Sequence, residues 1–192
     1  MSETSNMLPL GTVAPAFRLH DPHGKLVSSD DFKNAPAFLV AFICNHCPYV
    51  KHIAGAFANL ASEYQARGVA IIAINSNDAE TYPEDGPEKM VEETQHYGYT
   101  FPYLIDETQD VARAYYAVCT PDIFLFDKDR RLVYRGQFDD SRPKNNRPVT
   151  GADLRAALEA VLGGRPVSQD QTPSVGCSIK WKLPKAAAAR EM

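Results

Sequence analysis

The sequence is short of the features that mark several large functional classes. It has four cysteines in 192 residues, too few for a disulfide-stapled secreted scaffold. It has no excess of positive charge: 20 Lys and Arg against 24 Asp and Glu give a formal net charge of −4, which argues against a nucleic-acid binder. No apolar run approaches the roughly 20 residues of a membrane-spanning helix. The opening residues 1–11 show no basic stretch followed by an apolar one, so no secretory leader is expected and a cytoplasmic setting is the default expectation. No internal repeat is evident, and no second C-x-x-C or H-x-x-x-H follows the first cysteine pair. The rest is ordinary: 44% hydrophobic and 23% charged residues describe a soluble globular domain long enough for a substantial core.

The chain is organised around Cys44-Asn45-His46-Cys47-Pro48. The unbroken apolar run 37–43 before it reads as a strand buried on both faces. After it, Val50, Ile53, Ala54, Phe57, Leu60, Ala61 and Tyr64 follow one helix face, ending at Arg67-Gly68. Residues 69–74 form a second buried strand. The order is strand, two cysteines, helix, strand: a βαβ unit with C-x-x-C at the strand-to-helix turn, which reads as a thiol redox motif. The unpaired N–H groups and dipole of a helix N-terminus favour negative charge, so a cysteine there ionises more easily, and the thiolate is the nucleophile. His46 lies within the ring that a Cys44–Cys47 disulfide would close, where an imidazolium would stabilise a thiolate further. A structural zinc pair is the competing reading, but zinc normally takes four ligands. Pro48 fits a first helical turn and makes Cys47 a cap-like residue, which favours Cys47 as the ionised sulfur. The usual C-x-x-C logic instead favours Cys44 as the attacking thiol, and both assignments stand at this point.

Elsewhere, residues 1–10 read as a loose lead-in. Residues 16–19 and 25–27 flank the turn signal Asp21-Pro22-His23-Gly24 and read as a hairpin, with His20 and His23 as solvated turn residues. Residues 28–32 suggest a capped helical turn. Residues 80–86 read as a loop, 87–97 as a helix with Pro at its start and Gly98 past its end, 102–105 as a short strand and 109–116 as a helix. Cys119-Thr120-Pro121 opens a strand over 122–126 that turns and returns through 131–134. Pro121 reads either as a cis proline at a site or as a simple strand-start proline. Residues 137–149 are polar and proline-broken, Thr150-Gly151-Ala152-Asp153 resembles a capping box, and a last helix ends at Gly163-Gly164. This gives a domain over 1–165 and a C-terminal tail over 166–192.

Taken together, residues 10–163 resemble the thioredoxin superfamily, and within it the peroxiredoxin-like branch (alkyl hydroperoxide reductase and thiol-specific antioxidant-like proteins). The resemblance rests on Cys44-Asn45-His46-Cys47, Thr120-Pro121 and the opening Gly11-Thr12-Val13-Ala14-Pro15-Ala16-Phe17-Arg18-Leu19. It implies an α/β thioredoxin-like fold, a central mixed sheet flanked by helices, with an N-terminal hairpin, a central insertion and the C-terminal tail. It further implies that Pro121 is cis and packs against the motif, and that Thr120 offers a strand edge to an extended peptide substrate. A His at the third motif position is similar to the disulfide-forming members, whose potentials run from about −120 to −180 mV against about −270 mV for thioredoxin. The chain departs from typical peroxiredoxins. With Cys47 as the matched cysteine, Cys44 stands at the threonine position and Val40 at the proline position, so the peroxide-binding hydroxyl is missing.

The expectation is therefore a cytoplasmic thiol–disulfide oxidoreductase that needs no cofactor and no bound metal. Cys44 attacks, Cys47 resolves and His46 stabilises the thiolate. Its partners would be protein or small-molecule disulfides or hydroperoxides and a thiol electron donor, with no nucleic acid and no membrane. A thiol-dependent peroxidase, an antioxidant use of the same pair, is the variant within the class. A copper- or zinc-binding protein using Cys44, Cys47, His46 and Cys119 is the rival from another class. Two cysteines stay open. Cys119 is a third redox thiol or a small buried apolar residue, and Cys177 is a resolving thiol or an incidental one in a tail docked through Ile179 and Trp181.

Overall fold

The apolar run 37–43 is buried on both faces in the computed structural model, which describes residues 1–184. In chain order the strands and helices are β1 (Ser2–Thr4), β2 (Arg18–His20), β3 (Leu26–Ser28), β4 (Phe38–Phe42), α1 (Pro48–Gln65), β5 (Ala70–Asn75), α2 (Pro87–Tyr97), β6 (Tyr103–Ile105), α3 (Asp110–Ala114), β7 (Cys119–Thr120), β8 (Asp122–Phe126), β9 (Leu132–Gly136), α4 (Ala152–Leu162) and β10 (Val175–Ser178). Seven strands make one mixed sheet in the order β3-β2-β6-β5-β4-β8-β9. β4 sits at its centre, parallel to β5 and antiparallel to β8.

Alternation along β4 divides the interior into two layers. Leu39, Ala41 and Ile43 pack with Val50, Ile53, Phe57, Leu60 and Tyr64 of α1, while Phe38, Val40 and Phe42 pack with Tyr115, Phe124 and Phe126. Burial of each such large side chain contributes at most about 1.5–3 kcal/mol, so the strand end and helix start that carry the motif are anchored in the core on both layers. α1 begins with Pro48 in its first turn, capped by Cys47 in an extended conformation, as the proline geometry requires.

The hairpin of β2 and β3, the helix over 87–97 and the strand pair β8–β9 are where the sequence puts them. The turn after β3 carries a capping box between Ser28 and Asp31. Two expectations are corrected. Residues 2–4 are not a loose lead-in: β1 pairs with β10, and β10 pairs with β7, in a second, three-stranded antiparallel sheet. That pairing joins sequence ends no local pattern connects. The start of α4 is not a side-chain capping box either. Gly151 is the cap residue, in left-handed geometry with φ +67°, and Asp139 of the preceding loop accepts from the Thr150 and Gly151 N–H groups at 2.7 Å. A carboxylate from outside the helix does the work read into its own first turn.

Candidate active site

Cys44 leaves the end of β4 and Cys47 caps α1, so the two sulfurs face each other across one turn. Cys44 is 2% exposed and Cys47 is fully buried. Both sulfurs converge on Thr120: Cys44 Sγ lies 3.3 Å from its hydroxyl and Cys47 Sγ lies 3.3 Å from its carbonyl oxygen. The Thr120–Pro121 peptide bond is cis. Thus Cys44, Cys47, Thr120 and Pro121 come together as the sequence grouped them.

The ionisation of the pair is polarised. The Cys47 thiol is pushed down to about 5, chiefly because the Cys44 S–H points at its sulfur. Burial opposes this, while the Cys177 thiol and the N–H groups of Val50 and Cys177 favour the charge. The Thr120 carbonyl would accept from a protonated Cys47 and also works against the charge, but the donors around the sulfur outnumber it. Cys44 is driven well above an ordinary thiol: it gives its hydrogen to Cys47, it is buried, and it faces the Asp85 carboxylate. The surroundings thus favour the charge on Cys47, the cap residue, over Cys44. Cys44, the attacker by the usual motif logic, holds the proton.

His46 turns to Asp85, with Nδ1 2.6 Å from Oδ2, and its ring stacks on Tyr82 at 5.7 Å. Asp85 escaped the sequence reading, which saw only a loop at 80–86. It also accepts from the Asn45 N–H at 2.7 Å and from the Asn77 amide at 2.8 Å. Asn45 itself donates to the Glu84 carbonyl at 2.9 Å and accepts from the Tyr103 hydroxyl at 2.8 Å. Asn45, between the two cysteines, is thus held from outside the motif at its N–H and at both ends of its side-chain amide. Only the acid beside Gly86-Pro87 hints at this in the sequence.

Cys44, His46 and Asp85 place a sulfur, a ring nitrogen and a carboxylate oxygen within 4.8 Å of one another, a geometry that could receive a cation. The Asp85 oxygens already serve Asn45, Asn77 and His46, so a metal would displace bonds that build the turn. Cys119 does not join this group. It is fully buried, its S–H turns to the Pro121 carbonyl at 3.8 Å, and burial pushes its thiol far up. It fills space as a small apolar residue.

The peptide edge expected at Thr120 is already paired, with the chain's own β10. Cys177 stands directly opposite Thr120 in that register.

The AhpC/TSA family pattern matches residues 10–135, two thirds of the chain. The chain belongs to that family. Among curated relatives, the thiol-disulfide oxidoreductase ResA of Geobacillus thermodenitrificans is 31% identical over 129 residues, covering 64% of this chain and 66% of that one. ResA of Bacillus thuringiensis is 26% identical over 132 residues, covering 66% and 68%. Among solved structures, an uncharacterized conserved protein from Geobacillus kaustophilus is 55% identical with a TM-score of 0.93, covering 96% of this chain and 98% of that one. A thiol:disulfide interchange protein of the thioredoxin family from Chlorobium tepidum is 19% identical, covers 81% and 99%, and has a TM-score of 0.62. That likeness shows the fold alone. This member of the AhpC/TSA family therefore has the thioredoxin-like architecture expected of it.

Proposed function

We propose that the chain is a thiol–disulfide oxidoreductase in which Cys47 carries the reactive thiolate and Cys44 closes the exchange. The observation that carries this is the convergence of both motif sulfurs, each at 3.3 Å, on Thr120 before a cis proline, in surroundings that favour the charge on Cys47 over Cys44. Cys47 thiolate attacks one sulfur of a substrate disulfide, and the other leaves as a thiolate and takes up a proton. Cys44 then loses its proton and attacks Cys47 Sγ. This forms the Cys44–Cys47 bond and releases the substrate as its dithiol. The His46–Asp85 pair, within 4.8 Å of Cys44, is placed to take that proton. A thiol donor reduces the new disulfide and restores the starting state. The ResA relatives support the disulfide class of substrate. A peroxidase use of the same pair lacks the hydroxyl expected at the position of Cys44.

A stabilised Cys47 thiolate stabilises the reduced form, and so makes the disulfide more oxidising. The test is the reduction potential of the pair in glutathione buffers, followed by turnover of a model disulfide with a dithiol reductant. A potential well above the about −270 mV of thioredoxin, with turnover lost in Cys47→Ser, is the expected result. No turnover above free dithiol sinks the proposal. Metal retained in stoichiometric amount after purification in reductant would favour the binding-protein reading instead.

A further inference from the structure

Three of the four cysteines converge on one residue, and the third comes from the C-terminal segment. β10 lies between β1 and β7, with Cys177 paired to both Ser2 and Thr120. Directly paired residues of an antiparallel ladder send their side chains to the same face. The Thr120 hydroxyl meets Cys44 on that face, so Cys177 points there too. The next pair, Cys119 with Ser178, points the other way, which is why Cys119 is left out. The Cys177 thiol and backbone N–H both face the Cys47 sulfur, and Cys177 packs on the cluster that holds Cys44 and Cys47.

The arrangement is built rather than incidental. Gly176 approaches Thr120 so closely that a Cβ there would lie 1.9 Å from the Thr120 carbonyl oxygen. After β10, the Ile179 N–H donates to the Val118 carbonyl at 2.9 Å and the Lys180 N–H to the Asn77 side chain at 2.8 Å. The Gln109 side chain donates to the Lys180 carbonyl and accepts from the Lys182 N–H. This anchoring sets Cys177 against the motif, so that with β10 in place an external disulfide reaches Cys47 directly only at a reduced rate. The motif sulfurs are sealed, whereas Cys177 is partly exposed.

We propose that Cys177 is a third thiol of the redox centre, which exchanges disulfides with Cys47 inside the folded chain and connects the sealed pair to thiols and disulfides in solution. The proposal rests on the thiol–disulfide reading above. From the Cys44–Cys47 disulfide, Cys177 gives up its proton and attacks Cys47 Sγ. The Cys47–Cys177 bond forms, the Cys44–Cys47 bond breaks, and Cys44 leaves with the electron pair and is protonated. No net oxidation occurs. Cys177, the partly exposed member of the new bond, then takes an external thiolate, which forms a mixed disulfide at Cys177 and frees Cys47. The control is local. While Cys47 is a thiolate, burial and the hydrogen bond to it hold the Cys177 thiol up to about 12, opposed by Lys180. Once Cys47 is bonded to Cys44, that charge is gone and Cys177 ionises more readily.

The experiment is disulfide mapping by mass spectrometry after oxidation with glutathione disulfide, on the full chain and on Cys44→Ser and Cys177→Ser, with circular dichroism to show that each variant is folded. Cys44→Ser should collect a Cys47–Cys177 bond, with little glutathione left on Cys47. Cys177→Ser should still form Cys44–Cys47, about tenfold more slowly, because access limits exchange. If Cys44→Ser instead keeps glutathione on Cys47 beside a free Cys177, or if Cys177→Ser oxidises at the wild-type rate, the relay is wrong while the Cys44–Cys47 chemistry stands. Failure of the wild-type chain to form Cys44–Cys47 or Cys47–Cys177 at all overturns both readings. Should a variant fail to fold, quenched-flow mapping of the wild type decides: a transient Cys47–Cys177 species supports the relay and its absence refutes it.

Discussion

Asp85 accepts the backbone N–H of Asn45 at 2.7 Å, tying a loop after β5 to the turn between the two motif cysteines. The same carboxylate faces His46 and raises the Cys44 thiol. One buried acid thus shapes the turn, lies against the imidazole and adds to the hydrogen bond with Cys47 and the burial that raise the Cys44 thiol.

Asp85→Asn should therefore act on both structure and ionisation. The new amide would set a donor against the donors of His46 or Asn77. An unsatisfied buried polar group of this kind costs about 1–3 kcal/mol, to be read as a lower urea midpoint at unchanged slope. Removing the charge also lets Cys44 ionise more easily, which a pH titration of thiolate absorbance in Cys47→Ala and in the double variant measures.

The reduced protein should show a thiolate inflection near pH 5, assigned to Cys47. It should vanish in Cys47→Ala and move upward in Cys44→Ala, because the Cys44 S–H is the main cause of the shift. The sign for stability follows from linkage. The unfolded thiol binds its proton up to about pH 8.5, whereas the folded one releases it near 5. Cys47 thus adds stability as pH rises through that window, and the contribution is lost as pH falls through about 5. Denaturation of reduced wild type against Cys47→Ala, from pH 4 to 8, checks the slope.

Asp122 should give a slope of the opposite sign. It is fully buried; among the described residues its Oδ1 has no hydrogen-bond partner, its Oδ2 accepts from Ser5 at 3.2 Å, and the Ile123 N–H favours its charge. Burial raises its carboxyl to about 7. The folded state holds the proton between about pH 4, the ordinary carboxyl value, and 7, so stability falls as pH rises through that range. Asp122→Asn should flatten this fall and leave the protein more stable than wild type at pH 8. A variant that is less stable at pH 8 and keeps the full slope would show that the acid is not the cause.

Gly176→Ala should lift β10 from β7, because a Cβ would meet the Thr120 carbonyl at 1.9 Å. Strain of this kind costs about 1–3 kcal/mol. Amide exchange across Val175–Ser178 should quicken, and Cys44 and Cys47 should alkylate faster than in wild type. Unchanged exchange in β10 would count against the seal.

Much of this molecule could be read from local pattern. The apolar run 37–43 has no polar alternation, so it had to be a strand covered on both sides. Pro48 forbids helical geometry at Cys47 and so makes it the cap. The helical spacing from Val50 to Tyr64 sets which face of α1 meets the sheet. Asp85 was not legible in this way, since its role depends on a loop folding back over the motif and leaves no periodicity. Nor was the cap of α4, which Asp139 provides from outside the helix.

By itself, then, the sequence determined the βαβ unit, the place of the cysteine pair at its turn and the family likeness, because these follow from hydrophobic period and backbone chemistry within short windows. Tertiary structure alone decided which sulfur bears the charge and which further cysteine joins the pair. Ionisation depends first on how the two motif sulfurs face each other and on their burial, and then on donors from Cys177 and the carboxylate of Asp85. The choice of Cys177 over Cys119 depends on strand register, in which a single-residue step turns a side chain to the opposite face.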